Sequence, residues 1–400
     1  PRILFVGHGE SSHTHSWVDL LEDTTINVRL FALPTLTPPP DDWPVRTYIS
    51  GVPTRRMNPE TRTCRHPAGR PGWVIRHLRA ALSGGDGRAT ENWLAKVLAD
   101  WQPQIVHTLG LDPAGFIFHR LRQRSADAAD AIWILQLRGG SDLSLRRHDP
   151  AQRPAITTAL SGCDRILTDN RVNMEYAAEM GVPRKKFASI APIPGTGGID
   201  LAEVGQLADH APSDRRTILW PKAYESQWSS AKPVLDALIS CWDRIQPCRI
   251  EALNVSDDVR GWIQTLPEQI RNNMTAQARL PRREALERLA RSRALLAPSL
   301  VDGTPNVMFE AMATGALPIV SPLETIRPIV EDHENVLFAR NLWPAEIADA
   351  LVAAMTDDVL VERIAKNNHL RVRELADRSV IRPKVIAFYE ELAGQDRTSG

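Results

Sequence analysis

The 400-residue chain has little cysteine, no net charge and no long apolar run. Its four cysteines, Cys64, Cys163, Cys241 and Cys248, show no CxxC spacing and no zinc-like partner pattern, so free thiols in a reducing compartment are expected. Basic and acidic residues balance at 48 each, which excludes the global basic excess of a nucleic-acid binder. No apolar stretch reaches the roughly eighteen residues of a membrane span. The chain goes straight into Arg2-Ile-Leu-Phe-Val-Gly7, a strand pattern, so no secretory leader is expected, and the expected location is cytoplasmic. What remains is a globular protein long enough for two ordinary domains, each with its own core.

Short apolar runs alternate with longer helix-period segments, the signature of a parallel sheet wrapped by helices. Strands are expected at Ile3–Gly7, Val28–Leu33, Ile105–Leu109, Ile132–Leu137, Arg165–Thr168 and Phe187–Ala191. The pattern restarts with Thr217–Trp220, Arg249–Leu253, Ala294–Pro298, Pro318–Ser321 and Val336–Phe338. The polar stretch Ala202–Arg216 carries no strand and reads as the hinge. The expected fold class is therefore α/β, with two doubly wound Rossmann-like domains facing across a cleft, and ligands beyond the carboxyl ends of the strands. One segment breaks the alternation. Pro38-Pro39-Pro40 opens a Pro- and Arg-rich stretch to about Gly72, and from Trp43 to Gly85 there are eight arginines against one acid, Glu60. A loop of that length is usually functional or disordered. Near its end, Trp73–Leu82 reads as a short helix.

The most informative run is Gly303–Leu323, in which Glu310 is the single charged residue. Asp302 stands just before it, with seven residues between the two carboxylates. Thr304 suits an N-cap, Pro305 the first helical position and Gly315 the C-terminal stop. Such a helix start is a ready anion site, and a carboxylate on either side can accept hydroxyl donors; together these suit a nucleotide-sugar. Lys222, just after the strand Thr217–Trp220, supplies a cation for phosphate; its bland reading is a solvated surface lysine. Asp302 could equally be an ordinary Asp-Gly turn, and Glu310 a buried carboxylate satisfied by backbone or an arginine. In the first half, Gly9 after the first strand allows close backbone approach. His13 and His15 follow nearby and could be surface residues. His107 within its strand could be a satisfied core histidine, and Arg138-Gly139-Gly140-Ser141-Asp142 ends another strand. Trp43 and Trp73 could stack on sugar rings or simply pack.

The run Asp302-Gly-Thr-Pro-Asn-Val-Met-Phe-Glu310-Ala-Met-Ala-Thr-Gly-Ala-Leu-Pro-Ile-Val resembles the acid-x7-Glu signature of retaining GT-B glycosyltransferases, including bacterial mannosyl- and glucosyltransferases of envelope and polysaccharide synthesis. Asp164-Arg-Ile-Leu-Thr-Asp169, Met180-Gly-Val-Pro183, Gly198-Ile-Asp200 and Glu331-Asp-His-Glu-Asn-Val-Leu-Phe338 resemble further family segments, and Ser379–Leu392 resembles the helix that crosses back to the N-domain. The resemblance implies an acceptor-binding domain over 1–205, a donor-binding domain over 206–378 and a returning helix over 379–400. It implies a UDP- or GDP-sugar donor, no metal and no cofactor, with Asp302, Lys222 and His107 catalytic. Glu310, Gly303, Thr304, Pro305, Asn306 and Gly9 would bind the donor. Arg138, His13, Arg55 and Arg56 are the acceptor-side candidates. The acceptor would be a glycan or a lipid-linked molecule, with peripheral contact to an anionic inner membrane face as an option raised by the arginines. The sequence departs from the family in having Asp302 where glutamate is usual, Pro221-Lys222 for Gly-Arg, and Leu109 for the second histidine of His-x-His. The family's next lysine has no clean counterpart, since Lys232 lies a little late. A non-catalytic nucleotide-sugar-binding subunit and an epimerase on the same architecture are the alternatives. Base selection is expected in the loops Asn254–Asp258 and Leu280–Arg283.

Overall fold

The computed structural model describes residues 1–35, 39–208 and 210–394, with Ser141 as backbone only. The chain forms two units: one is Pro1–Gly197 with the C-terminal helix from Val380, the other Gly198–Ser379.

The first unit carries β1 Arg2–Gly7, β2 Asn27–Ala32, β3 Arg46–Ile49, β4 Arg62–Cys64, β5 Ile105–Leu109, β6 Ile132–Leu137 and β7 Arg165–Thr168. They form one parallel sheet in the order β4-β3-β2-β1-β5-β6-β7. The central strand β1 is inaccessible along Ile3, Leu4, Phe5 and Val6, as expected for a parallel strand covered on both faces. The helix Arg378–Gly394 packs on one of those faces. Its Ile381, Val385, Phe388, Tyr389 and Leu392 follow a helical period and join Ile3, Phe5, Trp17 and Leu20 in one core cluster. Arg382 also donates from Nε to the Leu20 carbonyl at 3.0 Å.

The second unit carries β8 Thr217–Trp220, β9 Arg249–Ala252, β10 Met274–Ala276, β11 Ala294–Ala297, β12 Leu317–Val320 and β13 Leu337–Phe338. This sheet is also parallel, in the order β10-β9-β8-β11-β12-β13. Both sheets are doubly wound. The order in which strands are added reverses between β1 and β5 in the first and between β8 and β11 in the second, so each has one topological switch point.

Three expectations are corrected. Phe187–Ala191 is not a strand: it runs beside β7 with a single bridge, Phe187 to Ile166, and cis Pro192 and then Pro194 interrupt any ladder. The Pro- and Arg-rich stretch is not one long loop. It contains β3 and β4 and runs into a helix at Arg70–Ser83, and Pro38, where that stretch was expected to open, lies outside the described residues. Buried Arg62 organises the segment, donating to the carbonyls of Val45 and Thr61 at 3.0 Å, of Trp43 at 2.8 Å and of Pro40 at 2.6 Å. The third correction concerns the helix after Asp302, which begins at Asn306. Pro305, with ψ 119°, is the capping residue, so Thr304 stands one place too early to be the N-cap. Gly315 does end that helix, at φ 78° in the left-handed region.

Candidate active site

In the second unit the switch point brings two strand ends side by side. β8 leads into Pro221-Lys222, and its neighbour β11 leads through Pro298-Ser299 to Asp302. Lys222 Nζ bonds Asp302 Oδ2 and also donates to Ser299 Oγ at 2.9 Å. Ser299 Oγ in turn lies 3.4 Å from the same carboxylate oxygen. The other oxygen of Asp302 accepts the Gly303 N–H at 3.0 Å, and its carbonyl accepts Thr325 Oγ1 at 2.9 Å. Only 19% of the lysine side chain and 20% of the aspartate side chain are exposed, so the pair is far less screened than a surface pair. Burial pulls the Lys222 pKa down, but the charge and hydrogen bond of Asp302 outweigh it, and the ammonium sits above its ordinary value. Lys222 is therefore a fixed cation, held in place before any ligand arrives.

Four residues beyond Asp302 the helix Asn306–Thr314 starts, with Met308, Phe309, Ala311 and Met312 buried. Glu310 lies on this helix with 18% of its side chain exposed; Arg282 Nη2 is 3.5 Å from its Oε1. Burial raises the Glu310 pKa, and the arginine offsets part of that rise. Of the backbone donors expected around the helix start, Gly303 gives its N–H to Asp302, and Pro305 has none. Thr304 is buried and Asn306 half-buried.

The first unit's residues form a second cluster around β5 and β6. His107, fully buried in β5, has Nδ1 2.6 Å from Tyr389 Oη, and Trp17 Nε1 donates to the same oxygen at 3.0 Å. Burial, helped by the Arg138 charge, keeps the imidazole pKa well below its ordinary value, so the ring is neutral. Arg138 follows β6; its Nε donates to Gln136 Oε1 at 2.9 Å, and its backbone N–H donates to Asp142 Oδ2 at 2.7 Å. Burial brings the Arg138 pKa down to about 10 and pushes Asp142 up to about 6. Gly9 after β1 is packed: a Cβ there would lie 2.9 Å from Ala32 Cβ and 3.3 Å from Pro39 Cδ.

The remaining candidates do not join either cluster. His13 is exposed on the helix Ser12–Val18. Arg55 pairs with Asp41 at 2.9 Å on the surface, and Arg56 is exposed. Trp43 is buried, donating from Nε1 to Asp19 at 2.8 Å, and His15 lies tilted against it with ring centroids 4.4 Å apart; both are packing residues. Much of the local arginine excess is likewise spent internally, Arg76 on Asp86 at 2.7 Å and Arg79 on the Arg65 carbonyl at 3.0 Å. Sequence reasoning missed Ser299, Gln136, Trp17 and Tyr389. Ser299 could have been found from its place two residues past a strand, whereas Tyr389 lies 282 positions from His107 and leaves no local signal.

Comparison with known proteins places the chain in a family. The family description "Glycosyl transferase 4-like domain" matches residues 8–192, and "Glycosyl transferases group 1" matches residues 230–357. Curated relatives include the phosphatidyl-myo-inositol mannosyltransferase of Mycobacterium leprae, 30% identical over 206 residues, covering 50% of this chain and 53% of that one. The enzyme of the same name from Mycobacterium tuberculosis (strain H37Rv) is 34% identical over 92 residues, covering 22% of this chain and 24% of that one. The chain thus spans about half or less of the length of these relatives. Among solved structures, sucrose-phosphate synthase from Thermosynechococcus elongatus superposes with a TM-score of 0.71 at 16% identity, covering 98% of each chain. Anabaena HepE, solved with UDP, gives 0.65 at 13% identity, covering 98% of this chain and 100% of the other. The chain belongs to the group 1 glycosyltransferases of GT-B fold.

Proposed function

We propose that this chain is a retaining hexosyltransferase that moves a sugar from a nucleotide-diphosphate donor, with UDP or GDP as carrier, to a hydroxyl of a glycan or lipid-linked acceptor in envelope or polysaccharide synthesis. The observation that carries this reading is the Lys222–Asp302 pair at the switch point of the second sheet, followed at once by the helix that bears Glu310. In this reading Lys222 neutralises the leaving diphosphate, the charge that develops in the transition state. Asp302 accepts a sugar hydroxyl, and Glu310 accepts the ribose hydroxyls. Retention follows when the acceptor attacks from the face the diphosphate leaves, with a phosphate oxygen taking the acceptor's proton. The second unit then binds the donor, and the first supplies the acceptor side with Arg138. Mycobacterial relatives named for mannosyl transfer to phosphatidyl-myo-inositol and a HepE structure that holds UDP support the donor and acceptor classes.

An anionic membrane surface fits the helix Arg70–Ser83 as a peripheral partner. Trp73, Val74, Leu78 and Leu82 are 57%, 50%, 61% and 88% exposed there, while Arg70 lies exposed on the same helix. Apolar side chains for the acyl boundary and arginines for anionic headgroups make the usual interfacial pattern. Among the described residues no helix is long and apolar enough to cross a membrane.

The test is calorimetric binding of UDP, GDP and ADP to wild type and to Glu310→Ala. Selective binding of one nucleotide, lost in the variant, supports the donor site, and NMR of the transferred sugar's anomeric configuration checks retention. Binding without transfer from any donor would favour the non-catalytic reading, for which Leu109 in place of a second histidine is the specific observation.

A further inference from the structure

Three buried side-chain nitrogens on or just past β5 and β6 have no hydrogen-bond partner among the described residues: His107 Nε2, Gln136 Nε2 and Arg138 Nη2. They are neighbours. His107 and Gln136 share one face of adjacent strands, with Leu109 opposite Gln136 in the register, and Arg138 reaches Gln136 through its own Nε. A buried donor left unpaired costs about 1–3 kcal/mol. Three together in a well-packed sheet call for a reason.

The protonation of His107 follows from its other nitrogen. Trp17 Nε1 can only donate, so the Tyr389 oxygen accepts from it and keeps its own proton to give. If that proton goes to His107 Nδ1, the ring carries its hydrogen on Nε2, and one buried polar atom of this group is unpaired. If instead Nδ1 carried the hydrogen and donated to Tyr389, both the phenol proton and a bare Nε2 would be unpaired. The first arrangement leaves fewer orphans. It also leaves an edge made entirely of donors.

We propose that Tyr389 is a positioning residue: it fixes His107 as the Nε2–H tautomer, so that the imidazole adds a buried N–H beside Gln136 and the half-buried Arg138, the residue assigned to the acceptor side. This rests on the glycosyltransferase reading for the acceptor side, but the tautomer itself does not. His107 then acts as a neutral hydrogen-bond donor and takes no proton from the acceptor. The C-terminal helix contributes to the site through one oxygen atom, without touching the ligand.

The test uses the full chain with 15N-labelled histidine and long-range proton–nitrogen correlation, with the His107 signals assigned by their loss in His107→Ala. Wild type is expected to show Nε2 protonated and Nδ1 bare. Tyr389→Phe, which removes the oxygen and keeps the ring, is expected to populate the Nδ1–H form and to lower turnover about tenfold, the worth of one hydrogen bond, with nucleotide affinity unchanged. Trp17→Phe keeps the phenol–imidazole bond and should retain the wild-type pattern. An Nδ1–H wild type, or a Tyr389→Phe spectrum identical to wild type, overturns the proposal. If Tyr389→Phe fails to fold, the wild-type spectrum still decides the tautomer. A wild type with the expected spectrum but no sugar transfer would sink the functional reading and leave the tautomer assignment standing.

Discussion

The two sheets follow one winding rule, yet the clusters of candidate residues they carry differ chemically. At the end of β8 and β11, Lys222, Ser299 and Asp302 satisfy one another, and the cation is oriented without a ligand. Around β5 and β6, aromatic packing encloses a neutral His107, and side-chain nitrogens of His107, Gln136 and Arg138 have no partner among the described residues. The first is an electrostatic device whose polarity the protein sets. The second is a shape whose hydrogen bonds are incomplete. Preorganised charge suits a group whose charge grows during reaction, and hydrogen-bonding groups left open suit recognition.

The largest expected effect tests the saturated end. Lys222→Met or Asp302→Ala should each lower turnover about 100-fold or more, the usual scale for losing one preorganised electrostatic group. Nucleotide affinity should fall more for the lysine than for the aspartate. The double variant should lose little beyond the worse single one, because partners in one ion pair are not additive; fully additive losses would mean that they act separately. Next, Glu310→Ala should weaken nucleotide binding about 10- to 100-fold, the range for hydrogen bonds to a charged group, measured by calorimetry. Unchanged affinity in a folded variant would remove the ribose role.

A smaller effect probes the first unit. The Asp142 pKa lies at about 6, raised by burial from an ordinary 3.8, so the folded state holds its proton more tightly than the unfolded chain. That stabilisation is complete below about 3.8 and is lost as pH rises through about 6. Melting temperature between pH 4 and 7 should therefore fall less in Asp142→Asn than in wild type, and parallel curves would contradict the burial argument. The smallest effect concerns the surface. Leu78→Ser with Leu82→Ser should reduce binding to phosphatidylglycerol vesicles about tenfold while leaving the nucleotide affinity intact, because each leucine is worth only part of a fully buried side chain at an interface.

How far the sequence reached depended on whether the cause was local. β5, β6, β7 and β8 are each a short apolar run in a continuously buried position, and their bounds were legible to the residue. β3, β4 and β10 are edge or near-edge strands of three or four residues. In β4 the decisive residue is Arg62, whose burial depends on carbonyls up to twenty-two positions away, so its charge reads as a surface signal. Asp302 and Glu310 were conspicuous because charge is rare in their surroundings. The partners that define their state were not: Arg282 comes from another helix and Ser299 from a generic strand end. The helix Arg70–Ser83 was legible as basic, but which arginines are already committed to Asp86 or to backbone carbonyls was not.

The C-terminal helix has a consequence for how the molecule is made. A ribosome delivers residues in order, so the second sheet, ending at Phe338, is complete while the first still lacks Ile381, Val385, Phe388, Tyr389 and Leu392 from its core. The segment synthesised first is thus the one finished last. Until those turns emerge, the apolar face formed by Ile3, Phe5 and Trp17 lacks their cover, and the nascent protein must be shielded there while the whole second sheet is made.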